Sequence, residues 1–261
     1  MSRWTAFPHD ATPYRYSATA LKKHWARLHL GDAEPWPADA AVQAAWILFH
    51  AGDFQKAHES GLKAAAAGSP AGTTVANKAQ AIHAHYLVAD EAAQLAAFQA
   101  VAARAAAQAK ADPRCANAHY WQAYALGRYS QRISVAQALA QGLGGKVKTA
   151  LETTIALAPR HADAHIALGT FHAEVIDKVG KLLAITQGAD AATGLRMFRE
   201  ALALNPHSAI ARVEYANGLV MLEGQRHMAE AEQLYAQAAA CAPMDAMERL
   251  DVEAAKAELG D

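Results

Sequence analysis

The sequence predicts an all-α protein built from repeated helical hairpins. Hydrophobic residues make up 53% of the 261-residue chain, which is ample for a core, but only 7% of residues are aromatic. Alanine dominates the apolar residues and has the highest helix propensity, so closely packed helices are favoured. Four similar segments end in prolines that lie 46, 47 and 37 residues apart: Pro113, Pro159, Pro206 and Pro243. Spacing of this length indicates a repeat array.

Each predicted repeat is a helix, a turn, a second helix and a proline stop. Similar segments close three of the repeats: TALETTIALAP (149–159), MFREALALNP (197–206) and LYAQAAACAP (234–243). Similar segments also open the repeats that follow, as in RHADAHIALGTFH (160–172) and HSAIARVEYANGL (207–219). Proline suits the junction because it has no amide with which to continue a helix, and it biases the preceding residue out of helical space.

These hairpins resemble the tetratricopeptide repeat (TPR), which has Leu-Gly at positions 7 and 8 and an aromatic residue at position 24. Leu168, Gly169 and Phe198 fill these positions when a long insertion is allowed between the two helices. AGDFQKAHESGLKA (51–64) matches the repeat's turn and second helix without an insertion. The resemblance implies a tetratricopeptide-like right-handed solenoid of about five helical hairpins. The long inter-helix insertions are predicted at 133–146 and 174–193.

The predicted organisation begins with an N-terminal arm and helix at 1–37 and ends with a C-terminal capping helix at 244–261. A solenoid needs such a cap because an open end would expose its core. The pattern fixes the register of residues 72–110 only loosely. The five hairpins between arm and cap are predicted at 38–69, 72–113, 114–159, 160–206 and 207–243.

Three segments resemble a narrower group, the eukaryotic regulators of microtubule dynamics and related bacterial TPR proteins. They are AHYWQAYALGRYSQR (118–132), TALETTIALAPRHADAHIALGTFH (149–172) and LRMFREALALNP (195–206). The resemblance implies a protein that acts by association, with microtubules in some relatives and at organelle contacts, with a lipid-binding role, in others. It brings no catalytic residues. The alanine-rich composition favours a bacterial origin, in which case there is no microtubule to bind.

The repeat register also predicts which residues face the concave groove, because positions 2, 5, 9 and 12 of each first helix line it. An apolar, aromatic-lined groove suits a protein partner that offers an amphipathic helix or apolar segment. The alternative is a lipid or another hydrophobic small molecule in the same groove. The chain's own arm or insertions are a third possible occupant. The candidate groove residues are Val42, Trp46, Phe49, Tyr120, Tyr124, Ile166, Thr170, Val213, Asn217 and Val220.

The histidine-rich segment 160–172 raises the question of a metal site. His165 and His172 are two helical turns apart, about 10 Å, which is too far for a single zinc ion. Both occupy repeat positions that normally carry large packing residues. His161 and His165 are four residues apart, so a histidine-dependent metalloprotein is a further alternative. The sequence contains no GxSxG, HExxH or glycine-rich phosphate-loop motif, and we expect a non-enzymatic protein without a cofactor.

The charge balance argues against a polyanionic partner. The chain has 24 basic and 25 acidic residues, so its net field does not attract nucleic acid. No stretch approaches eighteen consecutive apolar residues, and the start of the sequence does not fit a signal peptide. We therefore expect a cytoplasmic binding module with no integral membrane segment.

Overall fold

The computed structural model describes residues 4–260, and its regular secondary structure in this range is entirely helical. Two short 3-10 helices lie at Thr12–Tyr14 and Gln225–His227. The α-helices are α1 (Ala18–Leu28), α2 (Ala40–His50), α3 (Phe54–Ala66), α4 (Ala71–Tyr86), α5 (Glu91–Ala111), α6 (Ala116–Ser130), α7 (Val135–Ala140), α8 (Leu143–Leu157), α9 (Ala162–Thr186), α10 (Ala191–Leu204), α11 (Ala209–Glu223), α12 (Met228–Ala239) and α13 (Ala246–Gly260).

The helices confirm the predicted all-α, TPR-like solenoid. Packed hairpins are formed by α2 with α3, α4 with α5, α6 with α8, α9 with α10, and α11 with α12. The first helices of successive hairpins also pack against one another, in the order α2, α4, α6, α9 and α11. They form the inner layer of the solenoid, and the second helices form the outer layer.

Proline junctions end three of the second helices. α5 stops before Pro113, α8 before Pro159 and α10 before Pro206. Side-chain caps begin several helices: the Asp190 carboxylate accepts a hydrogen bond from the Thr193 amide at 2.7 Å, and the Ser208 hydroxyl accepts one from the Ala211 amide at 3.1 Å. These local signals explain why the helix boundaries follow the sequence pattern.

The contact between α9 and α10 depends on glycine. Phe198 is fully buried, and a Cβ atom built on Gly169 would lie 2.8 Å from its ring. A Cβ on Gly218 of α11 would also overlap this ring. The aromatic residue and the Leu-Gly pair that identify the repeat therefore meet directly, and the absence of a side chain at both glycines allows α9 and α11 to approach Phe198.

The two insertions extend the helices. Residues 133–146 fold into α7 and the first turn of α8, with Gly142 in the left-handed region at φ 61° between them. Most of residues 174–193 continue α9 as far as Thr186, with a break in helical geometry at Gly180, where φ is 78°. A glycine at each position allows a positive φ at little cost.

The first and last helical segments meet on the inner face of the solenoid. The Tyr16 hydroxyl donates a hydrogen bond to the Met244 carbonyl at 2.7 Å, and an Arg27 nitrogen lies 2.6 Å from a Glu248 oxygen. The His50 ring is 2.8 Å from the Asp245 carboxylate. α13 therefore does more than cover the last hairpin, because it also packs against α2 and holds the N-terminal segment. No helix within residues 4–260 has the length and apolar character needed to cross a membrane.

Candidate functional site

The N-terminal part of the inner face is closed by the chain itself. Val42, Trp46 and Phe49, expected to line an open groove, are each 0% exposed. The ring of Trp25 from α1 packs edge-on against Trp46 at 5.8 Å, and the His29 ring lies 4.6 Å from the same indole. These three predicted groove residues belong to the core, since α1 and the segment that follows it cover them.

Residues 29–37, which follow α1, are fixed by a buried polar network centred on Asp32. One carboxylate oxygen of Asp32 lies 2.8 Å from His29 Nδ1, and the other accepts a hydrogen bond from Lys78 Nζ at 2.6 Å. The Asp32 carbonyl also accepts a hydrogen bond from Asn117 Nδ2 at 3.0 Å. Burial alone would raise the pKa of Asp32, but the Lys78 and His29 contacts together hold it well below its usual range. The segment is thus attached to both α4 and α6.

The network continues to the start of α9 through Asn117 and His161. Asn117 Oδ1 lies 2.9 Å from His161 Nε2, and His161 Nδ1 accepts a hydrogen bond from the Ala164 amide at 3.1 Å. Burial lowers the pKa of His161 to about 4, so the ring is neutral at pH 7 with its proton on Nε2. The His161 ring therefore caps the start of α9.

A cavity of about 260 Å³ remains on the inner face between α6 and α9. Val135 and Leu139 of α7 line it and are also 42% and 51% exposed, so the cavity reaches the surface at α7. The wall is mainly aliphatic and aromatic, as in most small-molecule sites. Its apolar lining includes Ile82, Trp121, Leu143, Val147, Leu151, Ile166, Phe171, Val175 and Val179.

The inner end of the cavity is polar. Lys78 of α4, Arg128 of α6, Asp163 of α9 and Asp251 of α13 line it. Burial raises the pKa of Asp163 to about 7 and that of Asp251 to about 8. One cavity thus joins an apolar channel to a buried group of ionisable side chains.

The structure places the remaining predicted groove residues in two groups. Tyr120, Tyr124, Ile166 and Thr170 line the cavity. The other three lie on α11 and make different contacts. Val213 packs against a cluster that includes Val252 of α13, Asn217 lines a smaller neighbouring pocket and accepts a hydrogen bond from Tyr235, and Val220 packs against the cluster around Phe198.

Sequence reasoning missed most of the polar residues at the inner end. Lys78 lies in the stretch whose register the pattern left loose, and Asp251 lies in the capping helix, to which the repeat register does not apply. Arg128 comes directly after the last position of α6 that the repeat register turns toward the groove. Nothing else in the sequence marked it as a candidate site residue. Asp163 occupies position 2 of its repeat, so the register does direct it to the inner face.

The other two histidines of segment 160–172 each contact a backbone group. His165 Nε2 lies 3.1 Å from the Pro159 carbonyl, and His172 Nδ1 accepts a hydrogen bond from the Asp190 amide at 3.0 Å. Within residues 4–260, no three His, Cys, Asp or Glu side chains are grouped so that they could hold a metal ion.

Comparisons with known proteins identify the fold. No family model and no curated protein matches this sequence. A crystal structure of a thermophilic TPR protein from Thermus thermophilus is similar to the chain, with a TM-score of 0.59 and 16% sequence identity. The alignment covers 83% of this chain and 97% of that one. The chain is therefore a TPR-like solenoid, and the narrower resemblance to regulators of microtubule dynamics stays a prediction.

Proposed function

We propose that this chain is a non-enzymatic binding module that holds a hydrophobic small molecule in the concave cavity. The observation that carries the proposal is the cavity itself: about 260 Å³ in volume, open at α7, aliphatic and aromatic along its wall, and polar at its inner end. Such a site gains affinity from apolar burial and orients its ligand through a few polar groups.

The arrangement of the inner face favours a small molecule over the protein partner first predicted for the groove. An α-helix with its side chains is about 10–12 Å across and needs a continuous groove. Here residues 29–37 cover one part of the inner face, and α13 covers another. What remains accessible is a short channel.

A cavity-filling substitution tests the proposal. Ala167 of α9 lines the cavity and is half-buried, so Ala167→Phe would place a ring in the binding space. Native mass spectrometry of the purified wild-type protein should detect an extractable apolar molecule, or an added apolar fluorescent probe should bind with a stoichiometry of about one. Ala167→Phe should abolish either signal.

The matched control is Ala236→Phe, which makes the same change at an exposed position of α12. It should bind like the wild type. Equal binding by both variants would place the ligand outside the cavity and contradict the proposal, as would a wild-type protein that binds neither natural ligand nor probe.

A protein partner that binds the end of α9 is a second candidate, favoured by one observation. Beyond the break at Gly180, the last turn of α9 exposes Leu182, Leu183 and Ile185, which are 85%, 62% and 69% accessible. Large apolar side chains grouped in this way are typical of contact surfaces. A partner that binds there should be lost from the Leu182→Asp, Leu183→Asp double variant and retained by Leu259→Asp, which changes an exposed leucine at the end of α13.

A further inference from the structure

Two carboxylates at the inner end of the cavity have no cationic partner. Within residues 4–260, neither Asp163 nor Asp251 forms an ion pair. Asp251 accepts a hydrogen bond from the Tyr86 hydroxyl, and its residue is only 4% exposed. The Asp163 carboxylate lies against Gly31, where a Cβ atom would overlap it, and it accepts no side-chain hydrogen bond from the described residues. Both groups nevertheless line the cavity.

The two cations at the same end are already engaged. Lys78 Nζ is 2.6 Å from Asp32, and an Arg128 nitrogen is 3.0 Å from Glu214. Each of these cations is therefore paired with a carboxylate of its own. Asp163 and Asp251 are left without a paired cation. The inner end carries an excess of acidic groups.

Aromatic side chains surround this acidic end. Tyr86, Tyr120, Trp121 and Tyr124 all line the cavity. Tyr120 is only 5% exposed, and its hydroxyl forms no hydrogen bond with the part of the chain that the structure describes. Because Tyr120 lines the cavity, this hydroxyl is free to bond a polar group of a molecule bound there. Aromatic faces also attract an ammonium group through their quadrupoles, most strongly where water is excluded.

We infer that the polar end of the ligand is an ammonium group, held by Asp163, Asp251 and the tyrosine rings, while its apolar chain extends toward α7. This inference rests on the proposed cavity-binding function and specifies the chemical class of its ligand. The ammonium would supply the positive charge that the two carboxylates lack and would donate a hydrogen bond to the Tyr120 hydroxyl oxygen.

The ionisation behaviour of the two acids agrees with this assignment. Burial without a nearby free cation raises the pKa of both Asp163 and Asp251, to about 7 and about 8. A cationic ligand would favour their ionised forms and would itself be bound more tightly by them. An anionic head group would instead meet two carboxylates in a buried site.

Three probes with the same eight-carbon chain test the inference: octylammonium, octan-1-ol and octanoate. Calorimetric titrations of the full chain at a pH of about 8 keep the alkylammonium protonated. Octylammonium should bind about ten- to a hundredfold more tightly than octan-1-ol, as expected for charge-assisted hydrogen bonds in a buried site. Octanoate should bind most weakly.

Asp163→Asn and Asp251→Asn should each remove most of the preference for octylammonium while leaving octan-1-ol binding unchanged. The neutral probe thus reports whether each variant still folds and keeps its cavity. Asp177→Asn, the same change at an exposed position outside the cavity, should have no effect.

The outcomes separate the two proposals. If octan-1-ol or octanoate binds as tightly as octylammonium, or if both asparagine variants keep the wild-type preference, the ammonium assignment is wrong and cavity binding stands. If none of the three probes binds, the proposed cavity function itself is contradicted.

Discussion

Lys78 and Asp32 form an almost fully buried ion pair that joins the inner layer of the solenoid to the segment following α1. Their charged atoms are 2.6 Å apart, and the side chains are 2% and 0% exposed. Asp32 also accepts hydrogen bonds from its own neighbourhood, including one from the Glu34 amide at 3.3 Å. These additional hydrogen bonds occupy the carboxylate oxygens of the buried pair. They offset the cost of removing the two charges from water.

Removal of the Asp32 charge should therefore destabilise the protein strongly. Asp32→Asn would leave the Lys78 ammonium buried without a countercharge, and we expect a loss of about 3–5 kcal/mol in the free energy of unfolding. Urea denaturation followed by circular dichroism measures it. Asp53→Asn is the control, because its pair with Lys56 is 3.7 Å long and exposed, and should cost at most about 1 kcal/mol. Equal losses in the two variants would show that the buried pair has no special role.

The glycines around Phe198 should not tolerate even a methyl group. Gly169→Ala places a Cβ atom 2.8 Å from the buried ring, and such overpacking costs roughly 1–3 kcal/mol. Gly218→Ala should behave similarly. Gly127→Ala is the control: nothing lies within 4 Å of its Cβ position, so the variant should gain up to about 1 kcal/mol from helix propensity. Thermal unfolding of the three variants gives the comparison, and an unchanged Tm for both Gly169→Ala and Gly218→Ala would refute the packing argument.

Stability should fall as the pH rises from about 6.5 to about 8. Burial raises the pKa of Glu34 from 4.5 to about 8, so its stabilising contribution is complete below pH 4.5 and is lost on the way to pH 8. His29 and His161 have lowered pKa values of about 4, so their contributions are complete above pH 6.5 and are lost only at more acidic pH. Between pH 6.5 and 8, the buried acids alone determine how the free energy of unfolding changes with pH.

Glu34→Gln should make the fall of the unfolding free energy with pH shallower by about 1.4 kcal/mol per pH unit, the value for one titrating group. Unfolding free energies from urea titrations at several pH values across this range provide the measurement. The exposed Glu232→Gln variant should keep the wild-type slope. A wild-type stability that does not fall with pH in this window would mean that the buried acids are already ionised in the folded protein.

The ion pair between Arg27 and Glu248 should couple α1 to α13. Their side chains are 20% and 16% exposed, and two nitrogen–oxygen contacts of 2.6 Å and 3.2 Å join them. A double-mutant cycle with alanine should give a coupling free energy of about 1–2 kcal/mol, between the values for exposed pairs and for buried charge-assisted hydrogen bonds. The exposed pair Arg196 and Glu200 should give about 0.3–0.5 kcal/mol. A coupling no larger than that of this surface pair would contradict the structural role.

The hairpins are predictable from the sequence because their signals are local. Three of the four repeat prolines follow the end of a helix by two residues, and the Leu168, Gly169 and Phe198 pattern concerns one hairpin and its closest contact. The same register correctly directs Tyr120 and Tyr124 toward the inner face, where they line the cavity.

What lies against the inner face is less predictable. Trp46 has a register position suited to a groove, but the register specifies only the direction of its side chain and not what covers it. The covering segment, residues 29–37, has no helical periodicity, and its bonding partners Lys78 and Asn117 are 46 and 85 residues away from Asp32. Long-range polar pairing of this kind leaves no repeating trace in a single sequence.

The bond between His50 and Asp245 joins positions 195 residues apart. In an open repeat array each unit touches only its neighbours, so the ends can fray and the middle can fold first. In this chain the first hairpin and the last helical segment contact each other, so neither has all of its native contacts until both have folded. Folding should therefore be slower than in an open array of the same length, because the chain must close a very large loop, and unfolding should proceed as one cooperative event.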